Sequence, residues 1–526
     1  MAAGATPVLY YSPVRRRPKI FLGILMGLIG LGAALAWRIT TWGRPLPVAY
    51  RRVAVTPAHP GSGRSFAYLR AGTGDRTITA DTDADGTVDT VLAEGGDISS
   101  FVRPRPDDPE ARWLILCLDG VPYEEMLALW EEGYFREFFR PVPLISPFPS
   151  DSESALTDAF HAGPVPGYEH RYFDRGRNRL AGGPLTTLTG QHVPYLGVLD
   201  YDMPGPFKGL AYVLPEKSYR ADLGRLRGRF LASGEKVFLA HIASSDSLYH
   251  IRSAADMRRL LVEADSLLRE LYLDAGGKLR LTVFSDHGNS LEPSRPLPLR
   301  EFLESRGWQL RDRLEGSKDI VVPAYGLVGF LAVYWGPPFL RLPPLHGELA
   351  RDLTQLEGVD LVVYGGGGGV TIESARGQAR LSWNQDATAF RYQPRGGDPL
   401  ELAGVLATLK QEGKMDAAGW VKDVDLLAAT ADHRYPDPGY RLWQWATNHV
   451  RNRADLLVSL RPGTFYGSGS FQGIVDLAST HGALDRGQSL GFAMSTDGPL
   501  PSPLRSRDLL PKDLAVLKGT GKRGAN

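Results

Sequence analysis

Short apolar runs alternate with amphipathic stretches over most of this chain, from Arg112 onward. Because consecutive parallel strands need a crossover connection, usually a helix, this alternation predicts an α/β fold. We expect a three-layer α/β/α sandwich around a central, mostly parallel sheet. The strand-like runs are Trp113–Leu118, Lys236–Ile242, Leu279–Ser285, Leu327–Tyr334, Val359–Tyr364 and Ala454–Leu460. Helical periodicity marks Tyr123–Phe139, Ala254–Leu273, Leu400–Glu412 and Tyr440–Arg451.

The N-terminus contains an uncharged apolar tract, Ile20–Trp37, preceded by Arg15, Arg16, Arg17 and Lys19. A tract of about 18 residues is near the lower limit for spanning a bilayer. The positive-inside rule then predicts a single-pass membrane protein with a cytoplasmic N-terminus and an extracytoplasmic (periplasmic or extracellular) catalytic domain. A cleaved signal peptide is the competing interpretation, because Ala34-Leu35-Ala36 fits the small-x-small cleavage pattern.

The amino-acid composition excludes some classes of function, and changes in composition along the chain predict its division into segments. With 60 Lys plus Arg against 59 Asp plus Glu, the net charge is +1, so no nucleic-acid binding is expected. The single cysteine, Cys117, excludes an intrachain disulfide and is predicted to be buried. The predicted segments are a basic cytoplasmic N-terminus (1–19), a transmembrane helix (20–37), a stalk or small β region (38–111), a catalytic domain (112–514, with a substrate-shaping insert at 291–460) and a polar tail (515–526).

A carboxylate-rich loop lies in the predicted stalk, in the sequence DTDADGTVD. Asp81, Asp83, Asp85 and Asp89 alternate with other residues around a glycine, as in the first half of a calcium loop. The acid expected at the twelfth position is replaced by Leu92. The loop therefore has two interpretations, a calcium site or a polar β-turn.

Acidic and histidine side chains follow three of the predicted strands. Functional residues of open α/β sheets collect beyond the carboxyl ends of the strands, so we expect these side chains to lie together. Three Asp and three His are enough for two divalent ions, and carboxylate with imidazole suits zinc or manganese. Such a pair of ions can stabilise the attacking oxygen and the leaving oxygen of a phosphoryl transfer. The candidates are Asp119, Asp246, His250, Asp286, His287 and, after a later strand, His481.

A serine nucleophile is predicted at the start of a helix. Ser152 precedes the helical pattern 153–162, where the backbone N–H groups and the helix dipole favour phosphate oxygens. Coordination to a metal would activate its hydroxyl. Two alternatives stay open: Ser152 only caps the helix, or Ser150 or Ser154 is the nucleophile.

In this order the motifs resemble the alkaline phosphatase superfamily, and most closely its type I phosphodiesterase/nucleotide pyrophosphatase branch. The resemblance spans Arg112 to about Leu514. It rests on Asp119-Gly120, the FPSDS segment, Asp246-Ser247-Leu248-Tyr249-His250, Asp286-His287-Gly288 and Thr480-His481-Gly482. It implies one metal held by Asp246, His250 and His481, and a second held by Asp119, Asp286 and His287 with the Ser152 oxygen.

The chain departs from that branch next to the nucleophile. Many of its phosphodiesterases carry Thr followed by Phe-Pro-Asn, whereas Glu153-Ser154-Ala155 follows Ser152 here. The donor to the phosphate oxygens is therefore not identified, and His161, His170 and Arg171 are the nearby candidates. No Cys/Ser-x-Pro-x-Arg motif surrounds Ser152, so a sulfatase is not expected.

These features predict a membrane-anchored, two-metal phosphohydrolase that cleaves phosphodiesters or phosphomonoesters through a phosphoseryl intermediate. Its partner would be a phosphate-ester substrate, lipid- or glycan-linked in one variant of the hypothesis. The first alternative is a phosphoethanolamine-type phosphotransferase acting on a lipid or glycan. The second is an inactive binding module of the same fold, which a set of six costly buried polar ligands argues against.

Overall fold

The computed structural model describes residues 42–57, 64–94, 99–102, 108, 110–168, 171–183, 193–324, 326–336, 344–447, 449–468 and 476–518. The strands are β1 Tyr50–Pro57, β2 Arg64–Arg70, β3 Arg76–Ala80, β4 Thr90–Glu94, β5 Ser99–Val102, β6 Arg112–Leu118, β7 Val142–Ile145, β8 Arg171–Asp174, β9 Arg179–Gly182, β10 Val237–Ile242, β11 Leu279–Phe284, β12 Arg295–Pro296, β13 Gln309–Leu310, β14 Asp319–Val321, β15 Leu327–Val328, β16 Phe330–Trp335, β17 Val359–Gly366, β18 Gly369–Ser374, β19 Gly377–Trp383, β20 Ala389–Arg395, β21 Val421–Lys422, β22 Leu456–Leu460, β23 Thr464–Gly467, β24 Leu490–Ser495 and β25 Leu504–Arg505.

Helices lie in several of the connections between these strands. They are α1 Tyr123–Glu131, α2 Ser152–Ala159, α3 Gly205–Ala211, α4 Pro215–Ala232, α5 Ser244–Ile251, α6 Ala254–Asp274, α7 Leu299–Ser305, α8 Pro344–Thr354, α9 Ala403–Gln411, α10 Asp423–Thr430, α11 Pro438–Ala446, α12 Arg486–Ser489 and α13 Leu514–Leu517, with 3₁₀ turns at Pro194–Gly197 and Ser506–Asp508.

The central sheet has six strands in the order β10-β6-β11-β24-β7-β25. β6 pairs in parallel with β10 and β11, and β7 pairs in parallel with β25, while β24 runs antiparallel to both of its neighbours. Five of the six strands therefore run in one direction, and the predicted mixed α/β fold around a mostly parallel sheet is confirmed.

Strand β6 shows why helices cover both faces of this sheet. From Trp113 onward its residues are apolar without alternation, and from Leu114 to Leu118 they are buried on both faces. Ile115 and the free Cys117 face a core that includes α2 and α11, whereas Leu114 and Leu116 face a second core built with α4 and α6. The predicted burial of Cys117 is confirmed.

The predicted insert contains a second large sheet that the sequence pattern did not predict. It has nine strands, β13 to β22 without β15, in the order β13-β14-β16-β22-β17-β18-β19-β20-β21. All of its pairings except β13 with β14 are antiparallel. One of its faces contributes to the core shared with α2, because Leu361 and Leu457 pack there, and the other packs on α7 and α8.

The N-terminal region forms a five-stranded antiparallel sheet of sequential strands, β1 to β5. Its side chains Phe66, Tyr68 and Val91 are buried in the same core as Leu260 and Leu268 of α6. This part of the chain is therefore a β unit packed against the α/β domain.

Two predicted elements differ from the structure for local reasons. The predicted helix Tyr123–Phe139 stops at Glu131, since Gly133 and Phe135 adopt positive φ angles of 99° and 53° that a right-handed helix does not allow. The predicted strand Leu327–Tyr334 is divided at Gly329, after which the chain leaves β23 and pairs with β22.

The predicted single-pass membrane localisation, with its extracytoplasmic catalytic domain, is corrected here. Among the described residues, no helix is both long enough and apolar enough to cross a bilayer. The longest of them, α6, has 21 residues but carries charged side chains such as Asp256, Arg258 and Glu263, which are costly in hydrocarbon. The predicted transmembrane helix, residues 20–37, lies outside the described residues.

Candidate metal centre

The predicted ligands meet at one edge of the central sheet. Strands β6, β10 and β11 are parallel and adjacent, so their carboxyl ends open onto the same space. Asp119 directly follows β6, Asp286 follows β11 and Asp246 lies in the first turn of α5, which follows β10. All three carboxylates are buried. The placement agrees with the sequence-based expectation.

A glycine allows two of these segments to approach closely. Gly120 has a φ of +71°, and a Cβ at this position would lie 2.7 Å from Asp246 Oδ1 and 2.9 Å from Asn289 Nδ2. Asn289 in turn donates from Nδ2 to the Gly120 carbonyl at 2.9 Å. A larger residue at position 120 would therefore push the Asp119 turn away from Asp246.

The ligand atoms form two groups that share one histidine. Oxygen and nitrogen atoms of Asp119, Asp286 and His287 lie within 4.8 Å of one another, as the resemblance implies. The second such group is Asp246, His287 and His481, while His250 Nε2 lies 3.1 Å from Asp246 Oδ2. His287 therefore lies between the two predicted sets, its ring stacked on that of His481 at 3.9 Å.

Backbone carbonyls orient all three histidines in the same way. The Nδ1 atoms of His250, His287 and His481 lie 2.9, 2.9 and 3.0 Å from the carbonyl oxygens of Ser479, Gly288 and Ser150. A carbonyl only accepts, so each Nδ1 carries a proton, and the Nε2 of each ring is the nitrogen turned toward the carboxylates. Histidines that bind metals are held in this manner.

The pKa values of three side chains in the cluster are shifted, because ionisable groups are buried close to one another. Burial and the nearby Asp286 carboxylate raise the pKa of Asp119 to about 7. Burial disfavours the charged ring of His287, but Asp286 and Asp119 outweigh it and raise its pKa to about 9. Burial and the adjacent His287 lower the pKa of His481 to about 3.

This donor set fits divalent metal ions. Asp286 Oδ2 is buried and accepts no hydrogen bond from the described residues, and His287 Nε2 lies 3.6 Å from it. Without a metal, protonation balances the charge of the three carboxylates, as the raised pKa values of Asp119 and His287 show, and a divalent cation can replace those protons. Carboxylate and imidazole together are the ligands of zinc or manganese.

Ser152 lies beside this cluster at the start of α2. Its Oγ is 3.3 Å from Asp119 Oδ1 and 3.3 Å from His287 Nε2. The helix is capped by Asp151, whose carboxylate accepts from the Ser154 N–H, so Ser152 is not the cap. The Oγ atoms of Ser150 and Ser154 are used elsewhere, Ser150 donating to the Pro147 carbonyl and Ser154 to Asp151.

The predicted substrate contacts are not gathered at this cluster. His161 follows α2 at its far end, about 13 Å along the helix axis from Ser152, and its Nε2 contacts the Leu510 carbonyl. Arg171 donates to the Ala324 carbonyl at 3.0 Å. His170 lies outside the described residues. No described contact connects His161 or Arg171 with Ser152.

His241 is a buried neighbour of the cluster that the sequence interpretation missed. Its Nε2 lies 2.9 Å from Asp119 Oδ2, and its Nδ1 lies 3.0 Å from Asp202 Oδ1. Asp202 is paired with Lys208 at 2.8 Å. A polar residue inside the apolar strand β10, five positions before Asp246, was the sequence signal that could have identified it.

Replacing His241 with leucine is expected to weaken zinc binding by about 10- to 100-fold, because Asp119 loses the partner that orients its second oxygen. Chelator competition on the purified full chain measures this affinity, and circular dichroism checks the fold. His433→Leu is the matched control. The described hydrogen bonds of the His433 ring are to the Glu401 carbonyl and the Tyr435 N–H, and neither residue belongs to the candidate centre. Equal zinc affinity in His241→Leu and the wild type would show that Asp119 needs no such support.

Comparisons with known proteins give fold-level matches alone. No family model matches the chain, and no curated protein does. A phosphonoacetate hydrolase from Sinorhizobium meliloti, solved with phosphonoacetate, matches with 11% identity and a TM-score of 0.41, over 79% of this chain and 96% of that one. Human ectonucleotide pyrophosphatase/phosphodiesterase 5 matches with 12% identity and a TM-score of 0.40, over 77% and 94%. An inactive variant of the murine enzyme, solved with AMP, matches with 10% identity and a TM-score of 0.39, over 78% and 95%.

Identities of 10–12% and TM-scores of 0.39–0.41 carry no conclusion about the superfamily or the substrate of this chain.

Proposed function

We propose that this chain is a metal-dependent phosphoester hydrolase in which Ser152 is the nucleophile. The observation that supports this most directly is the position of the Ser152 hydroxyl. It lies 3.3 Å from both Asp119 and His287, at the edge of a cluster of three buried carboxylates and three buried imidazoles. A serine that only stabilised the fold would not need six ligand-type side chains around it.

In this proposal one metal is held by Asp119, Asp286 and His287, and the other by Asp246, His250 and His481. When bound, such ions supply Lewis-acid stabilisation of the phosphate charge and lower the pKa of the serine hydroxyl. Zinc is our first choice and manganese the second, on the grounds of the carboxylate and imidazole donors.

The protein groups position the substrate and handle the proton. Ser152 begins an eight-residue helix, so a phosphate in front of it meets the positive end of the helix dipole. The Oγ bonds to phosphorus and gives its proton to the Asp119 carboxylate, while the bond from phosphorus to the ester oxygen breaks and that oxygen takes a proton from water. The hydroxide left by that water attacks the phosphoserine, the bond from phosphorus to Oγ breaks, and Oγ takes its proton back from Asp119, with release of phosphate or a phosphomonoester.

Hydrolysis of p-nitrophenyl phosphate and bis-p-nitrophenyl phosphate by the purified full chain tests this function. We expect turnover of at least one ester, its loss after treatment with a chelator, and its return with zinc or manganese. The faster ester would distinguish a phosphatase from a phosphodiesterase. If metal is shown to be bound and neither ester is cleaved, the hydrolase assignment fails, and transfer to an acceptor becomes the explanation to test.

A further inference from the structure

The loop between β3 and β4 contains a second acidic cluster, on a different sheet from the candidate metal centre. Carboxylate oxygens of Asp81, Asp83 and Asp85 lie within 4.8 Å of one another. Asp83 and Asp85 are exposed, as acidic surface groups commonly are. Their proximity alone would be compatible with a polar turn.

Asp81 distinguishes this loop from an ordinary acidic turn. Its side chain is buried, at 4% exposure. Its Oδ2 accepts from the Gly86 N–H at 2.9 Å, but its buried Oδ1 has no hydrogen-bond partner among the described residues. A buried carboxylate oxygen without a donor costs free energy unless a cation compensates it.

We propose that this loop binds a calcium ion through the carboxylates of Asp81, Asp83 and Asp85. The donors are all oxygens, with no imidazole or thiolate in the group, which favours a hard cation. Gly86 has a φ of +90°, so the chain makes the sharp turn that brings both halves of the loop around one point. Calcium accepts irregular sets of oxygen ligands more readily than magnesium does.

The two remaining positions of the sequence motif set the expected affinity. Asp89 directs its Oδ2 to the backbone and hydroxyl of Thr82, at 2.7 and 2.8 Å, and is outside the group of three. Leu92, at the twelfth position, lies in strand β4, where it pairs with Ile78 of β3, and it has no carboxylate. With few charged ligands, a dissociation constant on the order of 10⁻⁵–10⁻³ M is expected.

The loop is also a contact between the N-terminal sheet and the α/β domain. Arg136 Nη1 donates to the Gly86 carbonyl at 2.8 Å, and the Val88 N–H donates to the Arg136 carbonyl at 2.8 Å. The Arg136 guanidinium lies 3.9 Å from the ring of Trp130 in α1. An ion that fixes the loop around Gly86 therefore also stabilises the docking of this sheet.

Terbium(III) luminescence on the full chain tests the site, because Trp130 is close enough to sensitise an ion in the loop. A Cβ on Gly86 would lie 3.1 Å from the Trp130 ring. We expect tryptophan-excited terbium emission that added calcium displaces. Asp83→Asn and Asp85→Asn should each weaken calcium binding by about tenfold or more, without affecting folding, since both side chains are exposed.

Two control variants separate this loop from other ion sites. Asp75→Asn changes an exposed aspartate on the β2–β3 turn of the same sheet and should leave the signal unchanged. Asp246→Asn removes a ligand of the candidate metal centre and should also leave it unchanged. The proposal is overturned if calcium displaces no terbium, or if both loop variants bind calcium as tightly as the wild type. Neither outcome depends on whether the chain hydrolyses phosphate esters.

Discussion

Ser152→Ala is expected to lower kcat for the preferred phosphate ester by about 10³-fold or more, the scale on which enzymes lose activity with their nucleophile. The variant retains all six carboxylate and imidazole ligands, so we expect it still to bind metal. It has no oxygen that can accept the phosphoryl group, and no phosphoserine should form. Steady-state kinetics, metal analysis and mass spectrometry of an acid-quenched reaction measure these three consequences.

Ser154→Ala is the matched control for that variant. Ser154 lies on the same helix and is buried, but its hydroxyl donates to Asp151 at 2.9 Å rather than facing the cluster. Its loss should cost about 1 kcal/mol of stability and leave kcat within a few-fold of the wild type. If Ser152→Ala turns over near the wild-type rate, the nucleophile is misassigned. A large loss of kcat in Ser154→Ala instead would transfer the role to that residue.

Arg269→Met is expected to destabilise the folded chain by about 3–5 kcal/mol, because it leaves two buried carboxylates without their positively charged partner. Arg269 in α6 donates to Glu137 at 2.8 Å and to Asp265 at 2.7 and 2.8 Å. The three side chains are only 5%, 2% and 2% exposed. The guanidinium also lies 4.8 Å from the ring of Tyr68, so the variant loses a contact with the N-terminal sheet. Urea unfolding followed by tryptophan fluorescence measures the change.

Arg300→Met provides the comparison for an exposed ion pair. Arg300 contacts Glu304 at 3.4 Å, with side chains that are 58% and 55% exposed. Solvent screening makes such pairs worth about 0–1 kcal/mol, so this variant should unfold close to the wild type. Similar free energies of unfolding for Arg269→Met and the wild type would mean that the two carboxylates find other partners or take up protons.

The ligand positions of the candidate centre were predictable from the sequence because their placement depends on few assumptions. Asp119, Asp246 and Asp286 each follow an apolar strand, and parallel strands end at the same edge of a sheet. The strands concerned, β10, β6 and β11, are also neighbours in the sheet, which brings those ends together. Short sequence patterns also predicted that a helix starts at Ser152 and that a loop of alternating carboxylates lies at Asp81–Asp85.

The contacts around the ligands depended on the tertiary structure. His241 meets Asp202, 39 residues away, and Asp119, 122 residues away, and no local pattern specifies such pairs. The choice of Ser152 over Ser154 likewise rests on where each hydroxyl points once α2 is packed. The nine-stranded sheet was missed, although three of its strands were predicted singly, because the partners of its mostly antiparallel strands are set by long-range register.

By itself, then, the sequence determined the α/β class, the strand ends that carry the candidate ligands and the acidic loop of the N-terminal sheet. Each of these follows from the periodicity and residue types of one short segment. Only the tertiary structure decided which nitrogen of each histidine faces the carboxylates and which carboxylate oxygens lack a partner. Those properties belong to pairs of atoms brought together from distant segments, and they exist only after the chain has packed.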